Sequence, residues 1–143
     1  MIKQSILRVV FDTVVFVRSL INPYGRWGEL VFLHGDKYQL FVSPAVVEEI
    51  FQVLHRPIIV KKFRTDEYLS LETVVKLLEN ANLVKTTKIT GGSRDLKANK
   101  FLATAIAAKA HYLISEDRDL LDLKNFQNIK IVDCLGFLKT LRK

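Results

Sequence analysis

Acids recur where strand-like runs and the turns after them end. Asp12 closes residues 7–11, Glu48 and Glu49 follow the helix entry at Ser43-Pro44, Asp95 follows residues 90–93, and Asp117 and Asp119 follow residues 111–115. Carboxylates gathered in one place repel and raise each other's pKa unless a cation neutralises them. An all-oxygen set suits a hard ion, Mg²⁺ or Mn²⁺. Zinc is not indicated, because His34, His55 and His111 show no ligand spacing and Cys134 has no cysteine partner. The net charge is +7. Basic residues bunch at 61–64, along Lys85, Lys88, Arg94, Lys97 and Lys100, and at Lys139, Arg142 and Lys143, which favours an anionic partner. A carboxylate-held Mg²⁺ beside positive surface calls for a phosphate substrate: the metal polarises a phosphoryl oxygen and lowers the pKa of an attacking water. The chemistry expected is phosphodiester hydrolysis.

These acids must be brought together by elements far apart in sequence. Residues 7–11 are apolar and β-branched and read as a first strand; Asp12 at its end is equally a favoured helix cap for residues 13–16. The Asn22-Pro23 turn leads to a helical stripe of Trp27, Leu30, Val31 and Leu33, which puts Trp27 in the core. Residues 38–43 form a second strand, and Ser43-Pro44 caps a helix whose buried stripe is Val46, Ile50, Val53 and Leu54. Glu49 flanks that stripe and Glu48 faces water. The helix stops at His55-Arg56-Pro57. A helix over 66–80, a third strand over 83–87 and an Ala-rich packed helix around Phe101, Leu102, Ala105 and Ile106 follow. Residues 111–115 are a buried strand, 128–133 another, and 135–141 a terminal helix. Strand and helix alternate without repeat or linker, so the expected fold is α/β, a mostly parallel sheet flanked by helices in three layers. Such a sheet gathers the acids at the carboxyl edge, where ligands bind in open α/β folds.

A chain of 143 residues with 49% hydrophobic content is expected to form one domain, residues 1–143. No run of about 18 apolar residues exists to span a membrane. The opening residues lack a secretory pattern and one cysteine forbids an internal disulfide, so a cytoplasmic location is expected. Phosphate loops of the Gly-x-x-x-x-Gly-Lys type, Gly-x-Gly-x-x-Gly fingerprints and Gly-x-Ser-x-Gly elbows are absent.

Four segments in order, Val9-Val-Phe-Asp12-Thr, Ser43-Pro-Ala-Val-Val-Glu-Glu49-Ile, Arg94-Asp95 ahead of Asn99-Lys-Phe-Leu102, and Tyr112-Leu-Ile-Ser-Glu-Asp117-Arg-Asp-Leu-Leu121, together resemble a PIN domain. The resemblance is strongest to the PIN-family toxins of bacterial toxin-antitoxin systems. It implies a Mg²⁺- or Mn²⁺-dependent ribonuclease, commonly a homodimer and often held inactive by an antitoxin protein. Matched by position, Asp12, Glu49 and Asp117 stand as metal ligands and catalytic acids, Asp119 as an auxiliary acid, and Ser115 as the small hydroxyl residue before them. Arg94, Lys97 and Lys100, with Ser115, are the candidates for holding RNA. Two positions depart from the pattern: Val14 stands where Asn is usual, and Ala98 stands where a third acid is expected before Asn99-Lys100-Phe101. Asp95 is the one nearby acid that can compensate. Two outcomes follow, a ribonuclease weakened at Ala98 or a non-catalytic module that binds RNA or a protein. A phosphoaspartyl phosphatase would need a second Asp where Val14 stands, and a receiver would need adjacent acids at the first strand's end.

Overall fold

The structure is a computed structural model that describes residues 6–63, 71–89, 92 and 96–142. Its sheet has strands β1 Leu7–Phe11, β2 Tyr38–Val42, β3 Asn82–Leu83, β4 Tyr112–Ile114, β5 Asn125–Phe126 and β6 Ile129–Val132, in the order β3-β2-β1-β4-β6-β5. All neighbours pair in parallel except β5 with β6. The helices are α1 Thr13–Ile21, α2 Arg26–Gly28 running into a π-turn at Glu29–Leu33, α3 Pro44–Leu54, α4 Pro57–Phe63, α5 Leu71–Glu79, α6 Asn99–Ala107, α7 Arg118–Leu121 and α8 Cys134–Leu141. This is the expected three-layer α/β arrangement with a mostly parallel sheet.

The central strands are buried on both faces, as parallel strands must be when helices cover them. Val9, Val10, Phe11, Leu113 and Ile114 are fully buried, and Phe11 packs edge-on against Phe16 of α1 and Tyr38 of β2. A continuous apolar run there is what a two-sided core selects. Where each of the four long parallel strands ends, a short polar side chain turns the chain into a helix. Asp12 accepts from Val15 N, Ser43 from Val46 N, Asp117 from Asp119 N, and Asp133 from Gly136 N. Each cap satisfies a backbone donor that a helix start leaves open, and together they fix where α1, α3, α7 and α8 leave the carboxyl edge.

Several local expectations give way. The third strand is Asn82–Leu83 rather than 83–87, a short edge beside β2. The helix expected over 66–80 is described as Leu71–Glu79, with residues 66–70 outside the described residues. Pro57 does end α3, but it also opens α4, because proline fits the first turn of a new helix. Trp27 is half-buried, packed against the rim of the core beside α1 rather than enclosed within it. The terminal helix opens at Cys134, one residue before the expected 135. The β5–β6 hairpin carries no Asn-Gly or Asp-Gly signal: its two-residue turn places Gln127 and Asn128 at φ 47° and 70°, left-handed backbone seldom adopted by Gln.

Candidate active site

Asp12 is the centre of the carboxyl edge. It is 3% exposed and carries two jobs on its two oxygens. Oδ1 accepts Val15 N at 3.1 Å as the cap of α1; Oδ2 accepts the Ser115 hydroxyl at 2.5 Å and Glu116 N at 3.1 Å. The cap reading of Asp12 therefore holds, and its second oxygen is held by the β4 end. Burial pushes its pKa above the usual 3.8, opposed by these three hydrogen bonds and assisted by the negative charge of Glu116. The Asp12 amide in turn donates to Ile114 O at 3.0 Å, which locks β1's end to β4's.

Ser115 joins this acid to the next. Its oxygen, fully buried, donates to Asp12 and accepts Asp117 N at 2.9 Å. The expectation that Ser115 meets substrate gives way for that reason: it is enclosed and positions two acids. Asp117 Oδ1 accepts Asp119 N at 2.8 Å. Asp119 stands in the first turn of α7 and is not among the residues lining the cleft.

Glu49 reaches the same place from α3. Thr13 donates its hydroxyl to Glu49 Oε2, and Lys100 Nζ lies 2.7 Å from Glu49 Oε1. Both oxygens of Glu49 are thus engaged by side chains of α1 and α6. Lys100, expected at RNA, is held by Glu49. A second link braces α3 against α6: Ser43 Oγ and Thr104 Oγ1 are 2.8 Å apart, and Thr104 also donates to Lys100 O.

A cleft of about 660 Å³ opens over these residues, lined by Asp12, Thr13, Glu49, Lys97, Ala98 and Asp117, with Val14, Arg18 and Arg56 at its wall. A second groove of about 720 Å³ lies at the amino ends of β2 and β3 and brings in one acid, Asp36, and none of the strand-end residues. The first is the chemically equipped one. Ala98, 3% exposed, stands at the entry to α6 with no side-chain hydrogen bond, so a methyl group lines the cleft where the sequence resemblance leads one to expect an acid. Arg94 and Asp95 lie outside the described residues. Among the described residues no three His, Cys, Asp or Glu side chains gather closely enough to form a metal cluster.

A family model for the PIN domain matches residues 8–119. The chain belongs to the PIN-domain family. An uncharacterized protein of Methanocaldococcus jannaschii, MJ1680, is 29% identical over 121 residues, covering 83% of this chain and 76% of that protein. PIN domains are generally nucleases and typically use divalent metals. The residues present fit such an ion as a site of two carboxylates completed by water. Asp12 and Asp117 share one cleft, Mg²⁺ binds through one or two carboxylates while keeping its waters, and a cation would relieve the burial that disfavours Asp12's charge. They do not fit a closed cage, since Ala98 offers no oxygen and Glu49 is already paired.

Four participants carried no signal strong enough to single out. Thr13 is legible only as Asp12's neighbour. Arg18 and Arg56 belong to no motif, and Glu116 sits unremarked between two stronger candidates. Its Oε1 accepts both Trp27 Nε1 and Cys134 N at 3.2 Å. Burial, with the charge of Glu116, pushes the Cys134 thiol up to about 12, so it stays protonated and donates to Arg26 O at 3.5 Å.

Proposed function

We propose that this PIN domain is a divalent-metal-dependent ribonuclease whose ion is held by Asp12 and Asp117. The observation that supports it is the convergence of these two carboxylates, from the ends of β1 and β4, on one cleft that also carries Arg18, Arg56 and Lys97. The ion, when bound, supplies Lewis-acid polarisation of the phosphodiester and an activated water. The chain's own residues do the rest. Ser115 and the Glu116 amide orient Asp12, the Ser115 oxygen anchors the loop that presents Asp117, and the basic wall offsets the charge of the RNA. Glu49 acts through Thr13 and Lys100, fixing the entry to α1 against α6, and is a positioning residue here.

Asp12→Asn and Asp117→Asn each remove ligand charge at constant volume. Cleavage of RNA should fall more than about a hundredfold in both, beyond the effect of losing an outer-shell partner, with the circular-dichroism spectrum unchanged. Unchanged cleavage in either variant ends the reading. Calorimetry with Mn²⁺ on the intact chain should show binding that Asp12→Asn abolishes. Absence of binding would instead favour the non-catalytic module, the alternative that Ala98 and the Lys100–Glu49 pair support. The finer role, a toxin restrained by an antitoxin protein, draws its support from the ordered motifs. Induced expression that slows growth, with relief by Asp12→Asn, would test it.

A further inference from the structure

One wall of the cleft is both basic and aliphatic. Arg18, on α1, holds its guanidinium carbon 4.8 Å from the centre of the Trp27 ring, and Arg26 lies 5.4 Å from the same ring. Trp27 is itself fixed, its Nε1–H donating to Glu116, the residue between Ser115 and Asp117. Gly28 beside it sits so close to Pro23 that a Cβ would lie 1.9 Å from the Pro23 carbonyl oxygen, which sets α2 tightly on the 22–25 turn. The loop carrying the acids therefore holds a tryptophan, and the tryptophan holds an arginine at the cleft wall. Arg56, from the α3–α4 junction, and Lys97, just before α6, line the same wall and are exposed.

Between these cations the wall is aliphatic. Val14, Ile21 and Ile59 line it, and Val14 is 37% exposed. A guanidinium pre-stacked on an aromatic face loses less freedom when it takes a phosphate. An aliphatic wall gains by covering the face of a base, which a double helix keeps inside its stack and an unpaired strand presents.

We propose that Arg18, positioned by Trp27, and Arg56 take phosphate of an unpaired nucleic-acid strand in this cleft without requiring metal, and that the Val14–Ile21–Ile59 wall takes an unstacked base of the same strand. The proposal deepens the ribonuclease reading by naming the strand-binding residues of the same cleft, and it is tested apart from cleavage.

The measurement is fluorescence anisotropy of a labelled, unstructured RNA oligonucleotide in EDTA, across a salt series, with the full chain. Trp27 is the chain's one tryptophan, so its emission should change on binding. Arg18→Ala and Arg56→Ala should each lower the slope of log K against log salt by about 0.7, the value of one phosphate contact on a single strand. Lys139→Ala, an exposed cation of α8 outside the cleft, should leave the slope unchanged. Ile59→Ala should weaken binding while keeping the slope. Trp27→Leu should weaken binding about as much as Arg18→Ala, and Trp27→Phe, which keeps a ring face, should restore most of it; equal losses in Leu and Phe would reduce Trp27 to a structural role and overturn its part. Inorganic polyphosphate, duplex RNA or polyglutamate competing as well as the oligonucleotide would overturn the base-accepting wall, the last pointing to an acidic protein as occupant. Asp12→Asn should bind the strand and not cut it. Strand binding intact with no cleavage in the wild type would sink the ribonuclease reading alone; cleavage intact with unchanged slopes in both arginine variants would sink this one alone.

Discussion

The two sides of the cleft are built differently. On the β1–β4 side, Asp12 and Asp117 are held by backbone amides and one buried hydroxyl, groups the sheet fixes in place. On the α3–α6 side, Glu49 is held by two side chains, Thr13 and Lys100, and the next position toward the cleft is the methyl of Ala98. The first arrangement leaves acids poised for a cation. The second already contains one, the Lys100 ammonium, with both partners about a quarter exposed. One cleft thus combines a preorganised half and a self-neutralised half, and the metal chemistry proposed for it rests on the former.

The largest expected effect separates the halves by stability. Ser115→Ala leaves the buried Asp12 Oδ2 with the Glu116 amide alone and deprives the partly buried Asp117 N of its acceptor. Leaving buried polar groups unpaired costs about 1–3 kcal/mol. Lys100→Met, which breaks a partly solvated pair, should cost under about 1 kcal/mol. Urea denaturation of both variants checks this. Equal costs would mean that the two sides are not differently built.

The same contrast explains what was legible in the sequence. A strand-end acid is visible because a β-branched run such as Leu7–Phe11 announces the strand, and a parallel sheet sends every such end to one edge. The order of elements and the convergence of Asp12 with Asp117 followed from that periodicity. Glu49's partners did not. Thr13 and Lys100 lie 36 and 51 residues from it, and which side chains meet across α1, α3 and α6 depends on helix packing that no local pattern records. Ser115 was noticed for its type, but its enclosure, which turns it from a substrate contact into a brace, is set by β6: its amide donates to Val132 O at 2.9 Å. The Arg18–Trp27 stack was hidden for a related reason. Trp27 reads as core by its helical stripe, and only the close seat of α2 on the 22–25 turn turns its ring toward α1.

A second prediction sharpens the comparison by converting one side into the other. Ala98→Asp puts a carboxylate where the 3₁₀ turn Leu96–Ala98 runs into α6, at the lining of the cleft. If that position completes the site, Mn²⁺ affinity should rise about tenfold, equivalent to about 1.4 kcal/mol. Calorimetry on the two proteins reads it directly. Identical affinities would show that the α6 entry is not where the missing oxygen belongs.

The smallest signal tests the claim that the β1–β4 side is poised for a cation. Asp12 holds its proton more tightly folded than unfolded, because burial disfavours the carboxylate more than its hydrogen bonds favour it. Below about pH 3.8 both states are protonated and Asp12 contributes nothing to pH dependence. As pH rises from there through the raised folded value, the unfolded chain releases the proton first, so the stability of the metal-free protein should fall, by at most about 1.4 kcal/mol per pH unit for one proton. Asp12→Asn lacks that group, so the difference between the stability curves of wild type and variant isolates it. Saturating Mn²⁺ should reverse the slope of the difference, since a bound cation favours the ionised carboxylate and binds only the folded chain. A metal-free difference that rises with pH would show that the hydrogen bonds from Ser115, Val15 and Glu116 outweigh burial, and the acid on the sheet side would then be as self-sufficient as Glu49 is on the other.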